Sequence, residues 1–338
     1  AEEVDLIESL WDSSQLKPLV NRYTEIIKNH VDDYSFNVDF KALLTDLMKQ
    51  KRENYNHPED YETFWYHNFY IQIILQMIRK YSSIYDNTIS KYQYREEIVN
   101  ILLASIFHDI ETAIWIQTGE IENDTRKRQI NFSKKEGDRE RLGDKQDEIF
   151  YYNLNSIKVS VGYMEVVGNA FASNMLDKNS DLEKLLKAMM ISLWYQDAHQ
   201  QINVPKKLQS FAILVFGREF HFLCMRLINN VYMVDEYNIF VLPDSGSCFL
   251  QIEKIVEIVK KFKMRIKRYY HELTKRPQIT KARITFGHIE DRTRGKNIVR
   301  HANARVISSI GKIKIQLLQL FGDALNVPEC QDVHVTTM

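Results

Sequence analysis

The sequence of 338 residues predicts an all-α fold, a multi-helix bundle with a smaller basic helical lobe at its C-terminal end. Glycine and proline are scarce, at 11 and 6 residues, which disfavours a many-stranded design with frequent tight turns. Apolar residues recur at three- and four-residue spacing through much of the chain, as in amphipathic helices. Hydrophobic residues make up 44% of the chain, which is enough for a sizeable globular core.

The first part of the chain divides into helices by this periodicity. Asp39 is placed to cap one helix, and Asp60 or Thr63 to cap a long helix after the turn sequence NHPED. A second long helix is expected to end near Gly119. The helices predicted in this part are 3–11, 15–29, 38–50, 61–82 and 92–117.

The rest of the chain begins with residues 120–148, which are strongly charged and show little apolar periodicity. This segment is predicted to be a long loop. Residues 234–247 predict a linker, which divides the chain into a helical core, 1–247, and a basic helical lobe, 248–338, packed on that core. The helices predicted here are 149–176, 180–197, 206–230, 248–275 and 297–322.

Charge and cysteine content exclude several classes of protein. Three distant cysteines without a CxxC pair exclude a cysteine zinc cluster and argue against a disulfide scaffold. No apolar run reaches the length of a membrane span. The net charge is zero, but residues 251–320 carry 18 lysines and arginines against 5 acidic residues. This asymmetry suits a basic partner for the acidic body, or attraction between the two halves.

Several polar residues stand out against this helical background. Three consecutive residues in one apolar helix and an adjacent pair in another are polar, a further pair lies near a helix end, and the charged segment supplies glutamates. If helices 61–82 and 92–117 form an antiparallel hairpin, His67 on the first helix lies beside His108 and Asp109 on the second. The candidates are Tyr66, His67 and Asn68; His108 and Asp109; Asp197 and His199; and Glu122, Glu136 and Glu140.

These residue types fit the cleavage of a phosphodiester. The reaction needs a nucleophile, a proton for the leaving oxygen and groups that hold the phosphate. Two histidines with a nearby glutamate supply these roles without a metal, since imidazole titrates near neutrality. Alternatively, His108, Asp109 and Asp197 would bind a divalent ion that activates water.

The motif YHN, followed by an apolar run ending in HD, resembles the signature of HD-type and cyclic-nucleotide phosphodiesterases. It departs from that signature because Ile71 occupies the position of a metal-binding histidine and a second Asp-His pair is missing. WYHNFY, the charged insertion and the later His199 together resemble the phosphodiesterase domain of the Legionella SidE effectors, in its stand-alone Dup type. The resemblance implies an HD-phosphodiesterase-like helical bundle.

The SidE resemblance also implies roles for individual residues. His67 would be the nucleophile, His199 the acid and base, and Glu136 the carboxylate, with Glu122 and Glu140 as alternatives. The remaining candidates would bind substrate or orient the histidines, with no cofactor and no metal. These supporting residues are Tyr66, Asn68, His108 and Asp109.

The implied function is cleavage of the phosphodiester that links phosphoribosyl-ubiquitin to substrate serines. The partners would be ADP-ribosylated or phosphoribosyl-linked ubiquitin and ubiquitinated host proteins, with no nucleic acid, and the chain would act as a secreted bacterial effector in the host cytoplasm. Two alternatives remain open. One is a metal-dependent HD-type phosphohydrolase of a cyclic or other nucleotide. The other is a non-enzymatic helical module whose basic lobe binds polyanions.

Overall fold

The computed structural model describes residues 7, 9, 16–30, 39–54, 61–78, 86–110, 113–131, 138–154, 157–199, 208–228 and 231–274. For residues 50–54, 154, 157, 197–199 and 246–247 it describes the backbone alone. The chain divides into two compact units, Ala1–Leu227 with Asp235–Arg276, and Ile228–Val234 with Pro277–Met338. Apart from Ile228 and residues 231–234, which lie in two neighbouring strands, everything described below belongs to the first unit.

The predicted all-α fold is wrong, because a six-stranded mixed sheet lies at the centre of the first unit. Its strands follow one another in the sheet in chain order. They are β1 (Ile114–Glu122), β2 (Lys145–Leu154), β3 (Ile157–Val167), β4 (Gln209–Phe216), β5 (Glu219–Ile228) and β6 (Val231–Val241).

Of the α-helices that the structure describes, five precede the sheet in the chain, two lie between its strands and one follows it. The α-helices are α1 (Leu16–Lys28), α2 (Phe40–Asn54), α3 (Tyr61–Ile78), α4 (Lys91–Tyr94), α5 (Asn100–Leu102), α6 (Asp124–Asn131), α7 (Met175–His199) and α8 (Ile252–Thr274). A π-helical turn (Arg95–Val99) and two 3₁₀ segments (Ser105–Ile110 and Gly246–Gln251) complete the described elements.

The sheet combines hairpins with one crossover. Strands β1, β2 and β3 pair antiparallel, and β4 and β5 pair antiparallel. The β3 and β4 strands pair parallel, which requires the crossover that α7 supplies. Gly217, at φ +59, makes the tight turn between β4 and β5, a left-handed conformation that favours glycine.

The strands were predicted as helices for a physical reason. Every residue of β4 is buried, and its residues 211–216 form a continuous apolar run and not an alternating one. A short apolar run buried on both faces cannot be distinguished from a buried helix by periodicity. For this reason the predicted helix 206–230 is the β4–β5 hairpin, and much of the predicted helix 149–176 is β2 and β3.

Other boundaries also differ from the prediction. Helix 92–117 is interrupted by the π-helical turn and the 3₁₀ segment, and β1 begins within its last turn. The charged segment 120–148 contains α6 and the beginning of β2, and the predicted linker 234–247 contains most of β6.

The amphipathic helices were predicted correctly where the structure describes them. Helices α1, α2, α3, α7 and α8 overlap the predicted segments. Asp39 caps α2 as expected, since its Oδ1 accepts hydrogen bonds from the backbone N–H groups of Lys41 and Ala42, both at 3.1 Å. The predicted helix 297–322 lies outside the described residues.

The core joins α8 to the sheet through aromatic rings. The Phe262 ring lies 5.9 Å from Phe150, 6.2 Å from Phe211 and 5.2 Å from Phe222, measured between centroids. Each such buried side chain stabilises the fold by about 1.5–3 kcal/mol. The predicted lobe 248–338 is described only up to Thr274, so the division at residue 247 stays a prediction.

None of the described helices is both long and apolar enough to cross a membrane.

Candidate functional site

His67 lies on the buried side of α3, among tyrosines. Its side chain is 3% exposed, and the Tyr23 hydroxyl lies 2.5 Å from Nδ1. The Tyr66 and Tyr70 rings lie 5.0 and 5.4 Å from the Tyr23 ring. Burial raises the pKa of the Tyr23 and Tyr66 phenols, so both remain protonated at neutral pH. A phosphate reaches His67 only if this aromatic packing opens, and the nucleophilic role of His67 stays a prediction.

The other two members of the predicted triad are not brought to His67 by anything the structure describes. The backbone of α7 ends at His199, whose side chain lies outside the described residues, as does that of Asp197. Glu136 also lies outside the described residues. The meeting of His67 with His199 and Glu136 therefore stays a prediction.

Of the alternative glutamates, Glu122 is the last residue of β1 and Glu140 lies in the segment between β1 and β2. Glu122 accepts a hydrogen bond of 2.7 Å from the backbone N–H of Gly143. Lys127 Nζ lies 3.6 Å from Glu122 and 3.5 Å from Glu140. These contacts hold the segment in place, since Lys127 joins its two ends.

Asp109 and His108 have different partners, although they are adjacent in sequence. The Asp109 carboxylate lies 2.6 and 2.7 Å from Lys263 Nζ, which is also 2.9 Å from Glu62. His108 is exposed, and its Nδ1 lies 3.0 Å from the Tyr61 hydroxyl. His108 and Asn68 line one cleft, so the structure brings together two of the predicted supporting residues.

A separate group of ionisable side chains gathers where β2 begins and β3 ends. The register that pairs Glu148 with Met164 brings Asp147 beside Glu165. Asp147 Oδ2 accepts a hydrogen bond of 2.8 Å from the backbone N–H of Val166. Two acidic side chains on neighbouring strands thus lie next to one another inside the protein, each 1% exposed.

Three cations from two helical segments surround these carboxyl groups. Lys91 Nζ lies 2.8 Å and an Arg95 terminal nitrogen 3.1 Å from the oxygens of Asp147. Lys184 Nζ, on α7, lies 2.6 Å from Glu165. Arg95 is buried, whereas the Lys91 and Lys184 side chains are 37% and 32% exposed, so the group reaches the surface through its lysines.

The group, which we call the carboxylate cluster, contains more acids than bases. Its acids are Asp147, Glu148, Glu165, Asp181 and Glu96, and its bases are Lys91, Arg95 and Lys184. The five carboxyl groups therefore exceed the three cations by two.

Protonation of two acids removes the excess negative charge of the cluster. Burial, with the negative charge of Asp147, raises the pKa of Glu165 to about 8, although the Lys184 ammonium opposes the shift. Burial also raises the pKa of Glu148 well above its usual range, and neither of its oxygens has a hydrogen-bond partner within the described residues. Both side chains are therefore predominantly neutral at pH 7.

A metal site already assembled from several side chains is not found. In the part of the chain that the structure describes, no three histidine, cysteine, aspartate or glutamate side chains are arranged to hold a metal ion. A cation in the carboxylate cluster would rest on two carboxylates, Asp147 and Glu165, and would take its remaining oxygens from water or substrate.

The residues predicted from the sequence do not include this cluster. Asp147 and Glu148 were assigned to the end of a charged loop, and Glu165 to a helix. The signal that points to Glu165 is its isolation, as a single acid within the apolar run VSVGYMEVV. A lone carboxylate in such a run must be compensated or neutralised.

Comparison with protein-family models, with curated proteins and with solved structures finds no match for this chain. The evidence for its function is therefore the geometry of its own side chains.

Proposed function

We propose that this chain hydrolyses phosphodiester bonds with the help of a divalent cation held by Asp147 and Glu165. The observation that carries the proposal is the adjacent pair of buried carboxyl groups, Asp147 and Glu165, in a cluster whose five carboxyl groups exceed its three cations by two. Buried carboxyl groups are otherwise paired or bound to metal, and strongly perturbed pKa values concentrate at functional sites.

A divalent cation matches this surplus in charge. Two positive charges would replace the protons that the acids hold, and would favour the ionised form of Glu165. Magnesium commonly binds to one or two carboxylates and completes its coordination with water and substrate phosphate oxygens. The two adjacent acids on β2 and β3 therefore suffice for such an ion when a phosphate is present.

The surrounding cations suit a phosphate substrate. Lys91 and Lys184 contact the carboxylates and are also partly exposed, so they lie where a substrate would approach. Once a cation occupies the carboxylates, these ammonium groups are available to phosphate oxygens, whose developing charge they would stabilise. The bound ion would polarise the phosphate and lower the pKa of a bound water.

The proposal keeps the reaction class expected from the sequence and differs in where the chemistry occurs. The SidE resemblance implies metal-free cleavage by His67, Glu136 and His199, whereas the carboxylate cluster suits the metal-dependent alternative. Phosphoribosyl-ubiquitin on serine contains a phosphodiester, so it remains a substrate to test beside nucleotides and nucleic acid.

The test is hydrolysis of bis(4-nitrophenyl) phosphate, of a single-stranded oligonucleotide and of serine-linked phosphoribosyl-ubiquitin, with Mg²⁺ or Mn²⁺ and with excess chelator. We expect hydrolysis of at least one substrate that needs the metal. Asp147→Asn and Glu165→Gln should each lower the rate by roughly 100-fold or more.

Glu183→Gln is the matched control, because Glu183 lies on α7 near Lys184 but is 54% exposed and pairs with Lys187. It should leave the rate unchanged. Hydrolysis that survives the chelator and both cluster variants, and is lost in His67→Gln, would overturn the proposal in favour of the metal-free mechanism.

A further inference from the structure

A small cleft lies between α3 and the segment from Ile101 to His108, and none of its described lining residues belongs to the carboxylate cluster. Its volume is about 260 Å³. Its polar lining consists of Tyr61, Asn68, Gln72, Ser105 and His108, and Trp65 and Phe64 add aromatic surface. We call it the amide cleft, after the carboxamides of Asn68 and Gln72.

The two amides are placed to act together. Asn68 and Gln72 are one helical turn apart on α3, so their side chains project from the same face of the helix. Each presents a carbonyl acceptor beside an NH₂ donor. Neither amide makes a hydrogen bond with any other residue that the structure describes. Two donor–acceptor pairs therefore line the cleft ready for a ligand.

The rest of the lining is rigid and aromatic. Trp65 is 1% exposed, and its indole N–H is directed to the carbonyl oxygens of Ile101 and Leu102, at 3.0 and 3.1 Å. The Tyr61 ring lies 5.9 Å from both the Phe64 and the His108 ring. Hydrogen bonds and ring contacts thus fix the walls around the amides.

The composition of the cleft selects the chemistry of its ligand. Among the described residues that line it, none is a lysine, arginine, aspartate or glutamate. The lining therefore does not suit a phosphate or a charged side chain. Aromatic walls with amide groups suit a flat, uncharged ring that carries a donor beside an acceptor, the pattern that adenine presents to asparagine or glutamine.

The size of the cleft limits how much of a ligand enters. Pockets for drug-sized ligands span roughly 300–1,000 Å³, and this cleft, at about 260 Å³, is smaller. It holds a base, while an attached sugar and phosphate would extend outside.

We propose that the amide cleft binds a purine base of the adenine type, held by the amides of Asn68 and Gln72 against the aromatic wall. The base comes from a free nucleoside or nucleotide, or from single-stranded nucleic acid. Binding of the base requires neither the metal nor the hydrolysis proposed above, so the two proposals stand or fall separately.

The test is isothermal titration calorimetry of the full chain in excess chelator, with adenosine, uridine and ribose 5-phosphate as probes and oligo(dA) in a second arm. Adenosine should bind several-fold more tightly than uridine, and ribose 5-phosphate should not bind. Asn68→Ala and Gln72→Ala should each weaken adenosine binding by about tenfold. Asn153→Ala, an exposed amide on β2, is the control and should have no effect.

The oligo(dA) arm separates the two sources of the base. Binding of oligo(dA) that weakens in both amide variants supports the proposal even where free adenosine binds weakly, and assigns the base to nucleic acid. Absence of binding in both arms would overturn the proposal, provided that circular dichroism shows the protein folded. Binding of either ligand that is equal in wild type, Asn68→Ala and Gln72→Ala would overturn it as well.

Discussion

Two buried regions of this molecule hold the ionisable groups that fit phosphodiester chemistry, and they differ in charge and in access. At α3, His67 is bonded to Tyr23 and surrounded by protonated tyrosines. In the carboxylate cluster, surplus acids lie among cations, and two lysines reach the surface. The side chains of His67, Asp147 and Glu165 are each at most 3% exposed, so burial of these groups alone does not distinguish the two regions.

The difference shows what makes a buried polar group a candidate for function. The α3 histidine satisfies its Nδ1 within a neutral aromatic cluster, the usual arrangement of a core histidine. The carboxylate cluster has too few cations for its acids, so Glu148 and Glu165 are protonated at neutral pH. A bound cation can supply the positive charge in place of these protons.

The largest expected effect comes from removing the buried cation of the cluster. Arg95→Met leaves the Asp147 carboxylate with one cation fewer inside the protein, and should lower the free energy of unfolding by about 3–5 kcal/mol. Chemical denaturation measures this value. The double variant Arg95→Met with Asp147→Asn should recover much of the loss, and a double variant as unstable as the single one would show that Arg95 acts through packing.

The next effect is a pH dependence set by Glu165. Its pKa is about 8 in the folded protein, above its value in the unfolded chain. Folding therefore takes up a proton at pH values between the two. The stability that this proton gives is present below the unfolded pKa and is lost as pH rises toward 8, with a slope of at most about 1.4 kcal/mol per pH unit.

Denaturation from pH 5 to pH 8 measures this slope in wild type and in Glu165→Gln. The glutamine variant removes the titrating group, so its curve should be flatter. Saturating Mg²⁺ should also flatten the wild-type curve, because the cation replaces the proton. Identical slopes in the two proteins would contradict the electrostatic account of the cluster.

A smaller effect is expected at α3. Tyr23→Phe removes the hydroxyl partner of His67 and should lower the free energy of unfolding by about 1 kcal/mol, while hydrolysis is unaffected. A large loss of hydrolysis with little loss of stability would move the chemistry back to His67.

The smallest effect is expected in the segment between β1 and β2. Glu140 is 69% exposed and pairs with Lys127, so Glu140→Gln should change the free energy of unfolding by less than about 0.5 kcal/mol. Hydrolysis should also be unchanged. A selective loss of hydrolysis would support the glutamate role that the sequence suggested for this segment.

The sequence predicts those parts of the fold that a single helix can specify. Helices α1, α2 and α8 repeat apolar residues along one face, and Asp39 caps α2 where its position suggested. The buried strands β2 to β5 carry no comparable signal, since burial on both faces removes the alternation that identifies a strand.

The candidate site follows the same division. The YHN triplet is local, and attracts attention in one window of sequence, whereas Asp147 and Glu165 are distant in sequence and meet only through the register of β2 and β3. Because residues 149–176 were predicted to be a helix, the pairing of β2 with β3 could not be predicted. The pairing of Asn68 with His108 across one cleft was closer to prediction, because the two segments were expected to pack together.

Isothermal titration calorimetry with Mn²⁺ at pH 7.5 tests the central claim most directly. Wild type should bind Mn²⁺ and release protons, seen as a heat that changes with the ionisation enthalpy of the buffer, because the cation displaces the proton of Glu165. Glu165→Gln should abolish the proton release, and Glu183→Gln should not. Absence of binding in wild type, or equal proton release in Glu165→Gln, would contradict the account.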